Sequence, residues 1–136
     1  MKQKSDPNIP IIIIDDEPGI LFLHELMLTE SNISNQLYSF YNPIEGLDFI
    51  RKTVSENKYI LVLLDINMPL MNGWEILEKL DELKIADQVN VIMATSSIQK
   101  SDKEKSQKYN TVKMYLEKPI DLEDCQLIKG LLLGMK

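Results

Sequence analysis

Four groups of reactive side chains each stand directly after an apolar run in this sequence. Asp15-Asp16-Glu17 follow IIII, Asp65 follows ILVLL, Thr95-Ser96-Ser97 follow VNVIMA, and Glu117-Lys118 follow MYL. An apolar run ending in a charged residue suits a buried strand that delivers a group to its edge. The stretch ILVLLDINMPLMNG at 60–73 raises the question most sharply, because an apolar, proline-broken loop follows Asp65 where a polar turn is ordinary. Carboxylates crowded at one rim repel, and one tends to hold its proton unless a cation neutralises them. Hard oxygen donors without histidine or thiolate beside them select Mg2+ or Mn2+ over zinc or copper, and Mg2+ commonly shares its shell with a phosphate. A carboxylate can itself accept a phosphoryl group while metal and lysine stabilise the charge on the transferring oxygens. Neither G-x-x-x-x-G-K-[ST] nor G-x-G-x-x-G is present, so the phosphoryl group must come from a donor and not from a tightly held nucleotide.

Bringing these groups together requires the apolar runs to lie side by side. Runs at 9–14, 36–41, 59–64, 89–94 and 113–116 alternate with segments of helical period at 18–31, 43–57, 73–84, 98–109 and 121–135. Those at 11–14 and 60–64 lack polar alternation, as strands buried on both faces of a parallel sheet do. Five βα units in succession predict an α/β fold: a doubly wound parallel sheet with helices on both faces and its chemistry beyond the carboxyl ends of the strands. Pro18 suits a first helical position, Asp121 can cap the last helix, and Asn72-Gly73 permits the turn into the third. Trp74, Leu77, Leu80 and Leu83 read as an inward stripe, with Glu75 and Lys79 paired outside it.

The fourth helix differs from the others. From 99 to 108 the sequence QKSDKEKSQK contains no apolar residue, which predicts the most mobile element, ordered by phosphorylation or by a partner. His24 reads as a surface or helix-packing residue and Cys125 as a small buried hydrophobe. Leu127, Ile128, Leu131, Leu132 and Leu133 exceed the needs of one buried stripe and fit a homodimer through the last helix.

A chain of 136 residues suits one domain, 9–136, after a polar tail at 1–8. Hydrophobic residues at 44% and charged residues at 26% exclude disordered, collagen-like and membrane-spanning classes. Lys plus Arg number 15 against 21 Asp plus Glu, a net charge of −6, which argues against direct nucleic-acid binding. No secretion signal or run long enough to span a membrane is visible, and one cysteine agrees with a reducing compartment, so a cytoplasmic location is expected.

The IIIIDDE acidic pair, LLDINMP around Asp65, the MATS hydroxyl and the YLEKP lysine occur in one order and spacing. Together they resemble the receiver domain of bacterial two-component response regulators, of the stand-alone chemotaxis type, over nearly all of 9–133. The resemblance implies a flavodoxin-like five-stranded sheet in the order 2-1-3-4-5. It implies phosphorylation of Asp65, with Mg2+ (or Mn2+) held by Asp15, Asp16, Asp65 and the backbone carbonyl of Asn67. Thr95 would hydrogen-bond the phosphoryl group, Lys118 would pair with it, Tyr115 would be the aromatic switch, and the Lys118-Pro119 bond would be cis. Met68-Pro69 would stiffen the loop that presents the Asn67 carbonyl.

The implied protein is a signalling phosphoacceptor and no ordinary enzyme, although it assists its own phosphorylation and dephosphorylation. Its donor would be a sensor histidine kinase or a histidine phosphotransfer protein. With no output domain after residue 136, the signal would leave through an unidentified downstream protein, through dimerisation or by onward transfer. Tyr-Asn-Thr at 109–111 replaces the family's Gly-Ala-Asp type of turn, Ser96 stands where a smaller residue is common, and Glu117 adds an acid. Asn67 and Ser97 occupy the positions that tune hydrolysis in the family, and neither is a carboxylate base. Glu17 has a competing explanation, since an acid in a first helical turn is favoured by the helix dipole.

Two rivals belong to other classes. A pseudo-receiver would use the fold as a binding module without phosphorylation, against which stands the complete set of site residues. A haloacid dehalogenase type phosphatase needs D-x-D, whereas Asp65 is followed by Ile66-Asn67.

Overall fold

The computed structural model of the protein describes residues 9–33 and 36–135, so the tail expected at 1–8 lies outside the described residues. In chain order the elements are β1 (Ile11–Ile14), α1 (Pro18–Glu30), β2 (Leu37–Phe40), α2 (Pro43–Val54), β3 (Ile60–Asp65) and α3 (Gly73–Glu82). A 3-10 turn (Ala86–Gln88) leads into β4 (Val89–Thr95), α4 (Lys100–Ser106), β5 (Val112–Glu117) and α5 (Leu122–Leu133). The strands form one parallel sheet in the order β2-β1-β3-β4-β5, as the alternating runs and the resemblance imply.

The absence of polar alternation in β1 and β3 has its expected cause, since every residue of both strands is buried. Ile12, Ile14, Val62 and Leu64 face one core, with Ile50 of α2 and Ile76, Leu77 and Leu80 of α3. Ile11, Ile13, Leu61 and Leu63 face the other, with Leu21 and Leu28 of α1 and Cys125, Ile128 and Leu132 of α5. Two apolar layers thus clamp the central strands. Ile14 pairs with Leu64, which places Asp15 and Asp65 abreast at the carboxyl rim.

Helix starts follow the sequence closely. Pro18 and Pro43 open α1 and α2, Asn42 caps α2, and Asn72 with Glu75 and Asp121 with Asp124 form reciprocal capping boxes on α3 and α5. Three readings are corrected. Glu75 is taken up by its capping box, so Lys79 pairs with Glu82 at 3.4 Å and not with Glu75. The α3 stripe is Ile76, Leu77 and Leu80 with Trp74 half-buried, while Leu83 lies past the last turn and is exposed. Of the apolar residues counted as surplus on α5, Ile128 and Leu132 are core, Leu131 is half-buried, and only Leu127 and Leu133 are exposed.

Candidate functional site

Strand ends deliver the site. Asp15 follows β1, Asp65 ends β3, Thr95 ends β4 beside Glu117, and Lys118 follows β5. Asp15, Asp65 and Thr95 are buried, at 2%, 3% and 2% exposure, so two carboxyl groups sit where water cannot solvate them freely. Oxygens of Asp15, Asp16 and Asp65 lie within 4.8 Å of one another. Lys118 reaches into this group: its Nζ donates to Asp15 Oδ2 at 3.0 Å and to Glu17 Oε1 at 3.0 Å, and lies 3.2 Å from Asp65 Oδ1. One ammonium therefore serves three carboxylates.

The electrostatics follow from that imbalance. Burial, then the neighbouring Asp15 charge, pushes the Asp65 carboxyl up to about 7, although Lys118 opposes the rise. Burial also raises Asp15, against the Glu17 amide (2.9 Å) and Lys118, which hold it down. Burial alone would lower Lys118, but its hydrogen bonds to Asp15 and Glu17 and the charges of Asp15 and Asp65 prevail and keep the ammonium charged. A rim that cannot ionise all its acids with one cation fits a second cation. Three hard oxygen donors suit Mg2+ or Mn2+ there.

The loop after Asp65 is built to hold the rim still. Ile66 and Met68 are buried anchors, and the Asn67 amide donates to Asp65 Oδ1 at 3.3 Å. Gly73 matters for closeness and not for backbone sign: a Cβ there would lie 2.8 Å from the Asp65 carbonyl, while the left-handed residue of the loop is Leu70, at φ 69°. The Gly73 amide donates to the Ile66 carbonyl at 2.8 Å, which draws the start of α3 onto the end of β3.

Thr95 ends β4 and Tyr115 lies within β5, and neither hydroxyl bonds to the acids. The Thr95 hydroxyl donates to the Ser97 carbonyl at 3.2 Å and accepts from the Ser97 amide at 3.4 Å. Tyr115 is half-buried with its hydroxyl enclosed beside the Gln99 backbone but out of hydrogen-bond geometry, and burial raises its pKa. The Lys118-Pro119 bond is cis, as the resemblance implies.

The sequence left Glu17 open between the rim and the helix dipole, and it missed the contact of His24. Glu17 is the N-cap of α1 but makes no side-chain cap, and its carboxylate turns to Lys118 instead. The adjacent acidic pair and the lone lysine were the available signal. His24, read as surface or packing, is buried at 1% exposure and accepts a hydrogen bond at Nε2 from the Ile120 amide at 3.1 Å. Only the fold brings α1 to the β5–α5 loop, so no local pattern marks this contact.

A five-stranded parallel sheet with a core on each face and its carboxylates and lysine gathered at the carboxyl rim defines a doubly wound α/β domain, whose ligand site lies beyond the strand ends. The chain matches the response regulator receiver domain over residues 11–128, and it belongs to that family. It is 30% identical over 114 residues to response regulator ArlR of Staphylococcus aureus, covering 84% of this chain and 48% of that protein. The chain thus spans about half the length of the curated relatives it matches. Among solved structures, a two component response regulator from Cytophaga hutchinsonii superposes with a TM-score of 0.85 at 20% identity, over 97% of this chain and 99% of the other. A response regulator receiver protein from Dyadobacter fermentans gives 0.78 at 25% identity, over 91% and 94%. No helix among the described residues is long and apolar enough to cross a membrane.

Proposed function

We propose that residues 9–136 act as a phosphoacceptor in a two-component phosphorelay, taking a phosphoryl group onto Asp65 from a phosphohistidine on a sensor kinase or phosphotransfer protein. One observation carries the reading: Asp15, Asp16 and Asp65 converge within 4.8 Å, and the Lys118 ammonium stands 3.2 Å from Asp65. In the transfer, an Asp65 oxygen bonds to phosphorus as the bond to the donor nitrogen breaks, and the released imidazole leaves with a proton. Mg2+ held by Asp15, Asp16 and Asp65, with the Asn67 carbonyl, would neutralise the crowded acids and the transferring oxygens.

The protein's own groups do the rest. Lys118 is already within reach of Asp65, so it can follow the new phosphoryl oxygens without a large movement. Thr95 must release Ser97 to reach them, and that release alters the β4–α4 loop. Tyr115, packed beside that loop, then moves with it and changes the surface of α4, β5 and α5. A downstream protein reads that surface, or a second copy docks through the exposed Leu127 and Leu133. With Asn67 and Ser97 supplying no carboxylate base, the phosphoryl group leaves by slow assisted hydrolysis or by onward transfer.

The test is intact mass after incubation with Mg2+ and acetyl phosphate. A gain of one phosphoryl group that needs the metal and vanishes in Asp65→Asn is the expected result. No gain by folded protein would overturn this reading in favour of a phosphorylation-independent binding module.

A further inference from the structure

A histidine deep in an apolar layer needs a reason. His24 sits on α1 at 1% exposure, and residues of its own layer include Leu21, Leu28, Ile120 and Cys125. Burial, then the charge of Lys118, pushes its imidazole down to about 4, so the ring is neutral at pH 7. Since Nε2 accepts the Ile120 amide, Nδ1 carries the proton, and Nδ1 is buried without a hydrogen-bond partner among the described residues. An unpaired buried donor is unfavourable, and an apolar side chain would avoid it. The gain that offsets it is the acceptor at Nε2.

That acceptor acts on the loop that carries Lys118. Pro119 has no amide hydrogen, so the turn from β5 into α5 offers the amides of Lys118 and Ile120 as its donors on either side of the proline. The Lys118 amide donates to the Thr95 carbonyl at 2.7 Å, tying the loop to β4. The Ile120 amide donates to His24 at 3.1 Å, tying it to α1. The Lys118 side chain leaves the backbone between these two ties and places its Nζ 3.0 Å from Asp15 and 3.2 Å from Asp65.

We infer that His24 is a positioning residue for Lys118, acting through the Ile120 amide. This role rests on the proposed phosphoacceptor reading for its consequence but not for its detection. His24→Leu removes the acceptor while keeping an apolar side chain of similar bulk, and His24→Gln puts an amide oxygen near the place of Nε2. In the full chain labelled with nitrogen-15, His24→Leu is expected to speed exchange of the Ile120 amide about tenfold, the loss of roughly one hydrogen bond. The slowed ammonium signal of Lys118 broadens with it, and phosphoryl uptake from acetyl phosphate falls by a similar factor. His24→Gln restores all three, which a general packing defect would not do.

Unchanged Ile120 exchange and an unchanged Lys118 signal in folded His24→Leu would overturn the inference. Should that variant not fold, a coupling across the hydrogen bond between the Ile120 amide and His24 Nε2 in the wild-type protein decides: its presence supports the role and its absence refutes it. A wild-type chain that takes no phosphoryl group would sink the phosphoacceptor reading, while the exchange and ammonium signals still judge His24.

Discussion

The acid rim and the fourth helix are held by opposite means. At the rim, Asp15, Asp65 and Lys118 are removed from water and fixed by charged neighbours about 3 Å away. Helix α4 has seven residues, buries only Ser106 among them, and is held from outside. Lys105 lies 4.6 Å above the Trp74 ring, Trp74 stacks on Tyr109 at 6.2 Å, and the Tyr109 hydroxyl donates to Glu78 at 2.6 Å. Exposed contacts of this kind contribute about 0.5–1 kcal/mol each, whereas breaking a buried ion pair costs roughly 3–5 kcal/mol. The region that would do chemistry is therefore rigid, and the surface that would report it is loosely tied.

The strongest way to break this comparison is to remove the rim's cation. Lys118→Met leaves Asp15 and Asp65 buried without their partner, and urea unfolding at pH 8 should show a loss of roughly 3–5 kcal/mol. A loss below about 1 kcal/mol would mean that the acids relieve one another by taking up protons, and that the rim is softer than its burial suggests.

Asp65→Asn tests the same strain from the acid side. In the fold the Asp65 carboxyl is raised to about 7 from 3.8, so between these values the native state holds a proton that the unfolded chain has released. Stability therefore falls as pH rises through that window, with the penalty absent below about pH 4 and complete above pH 7. The metal-free Asn variant lacks this penalty and should be more stable than wild type above pH 7, by an amount on the order of 4 kcal/mol, with no gain at pH 4. Adding Mg2+ should stabilise wild type and narrow the gap. A constant difference across this range would place the origin of the effect elsewhere.

How much of this could be read from the chain depends on what each feature rests on. Buried strands and their order of acids were legible because Ile11–Ile14 and Ile60–Asp65 advertise burial on both faces by composition alone. Capping by Asp121 was legible because it is local. Gly73 was marked correctly for the wrong reason: its neighbour across space, the Asp65 carbonyl, belongs to another element and leaves no trace in the turn sequence. The partners of Glu17 and His24 were hidden in the same way, because Lys118 and Ile120 lie about a hundred residues further along.

Gly73→Ala follows directly from that close approach. The added methyl would lie 2.8 Å from the Asp65 carbonyl and 3.2 Å from the Met93 Cε, and the backbone partner cannot yield without moving the acid itself. The expected cost is roughly 1–3 kcal/mol, with slower phosphoryl uptake than that loss of stability alone would cause. Wild-type stability in this variant would show that the loop has slack and that Asp65 is less firmly placed.

The smallest effect tests the other side of the comparison. Amides of α4 depend on a helix without an apolar face, so in the unphosphorylated protein their exchange protection should fall well below that of α1, which buries Leu21, His24 and Leu28. Tyr109→Phe removes only the hydroxyl that meets Glu78, an exposed hydrogen bond. Its effect on global stability should be at or below about 1 kcal/mol, but protection within α4 should drop by up to about fivefold because so little else holds the helix. Protection in α4 equal to that in α1 and indifferent to Tyr109 would mean that the polar helix is anchored as firmly as the apolar one. A surface so anchored could not respond to events at Asp65 for a small free energy, and signal output would have to be sought on another face.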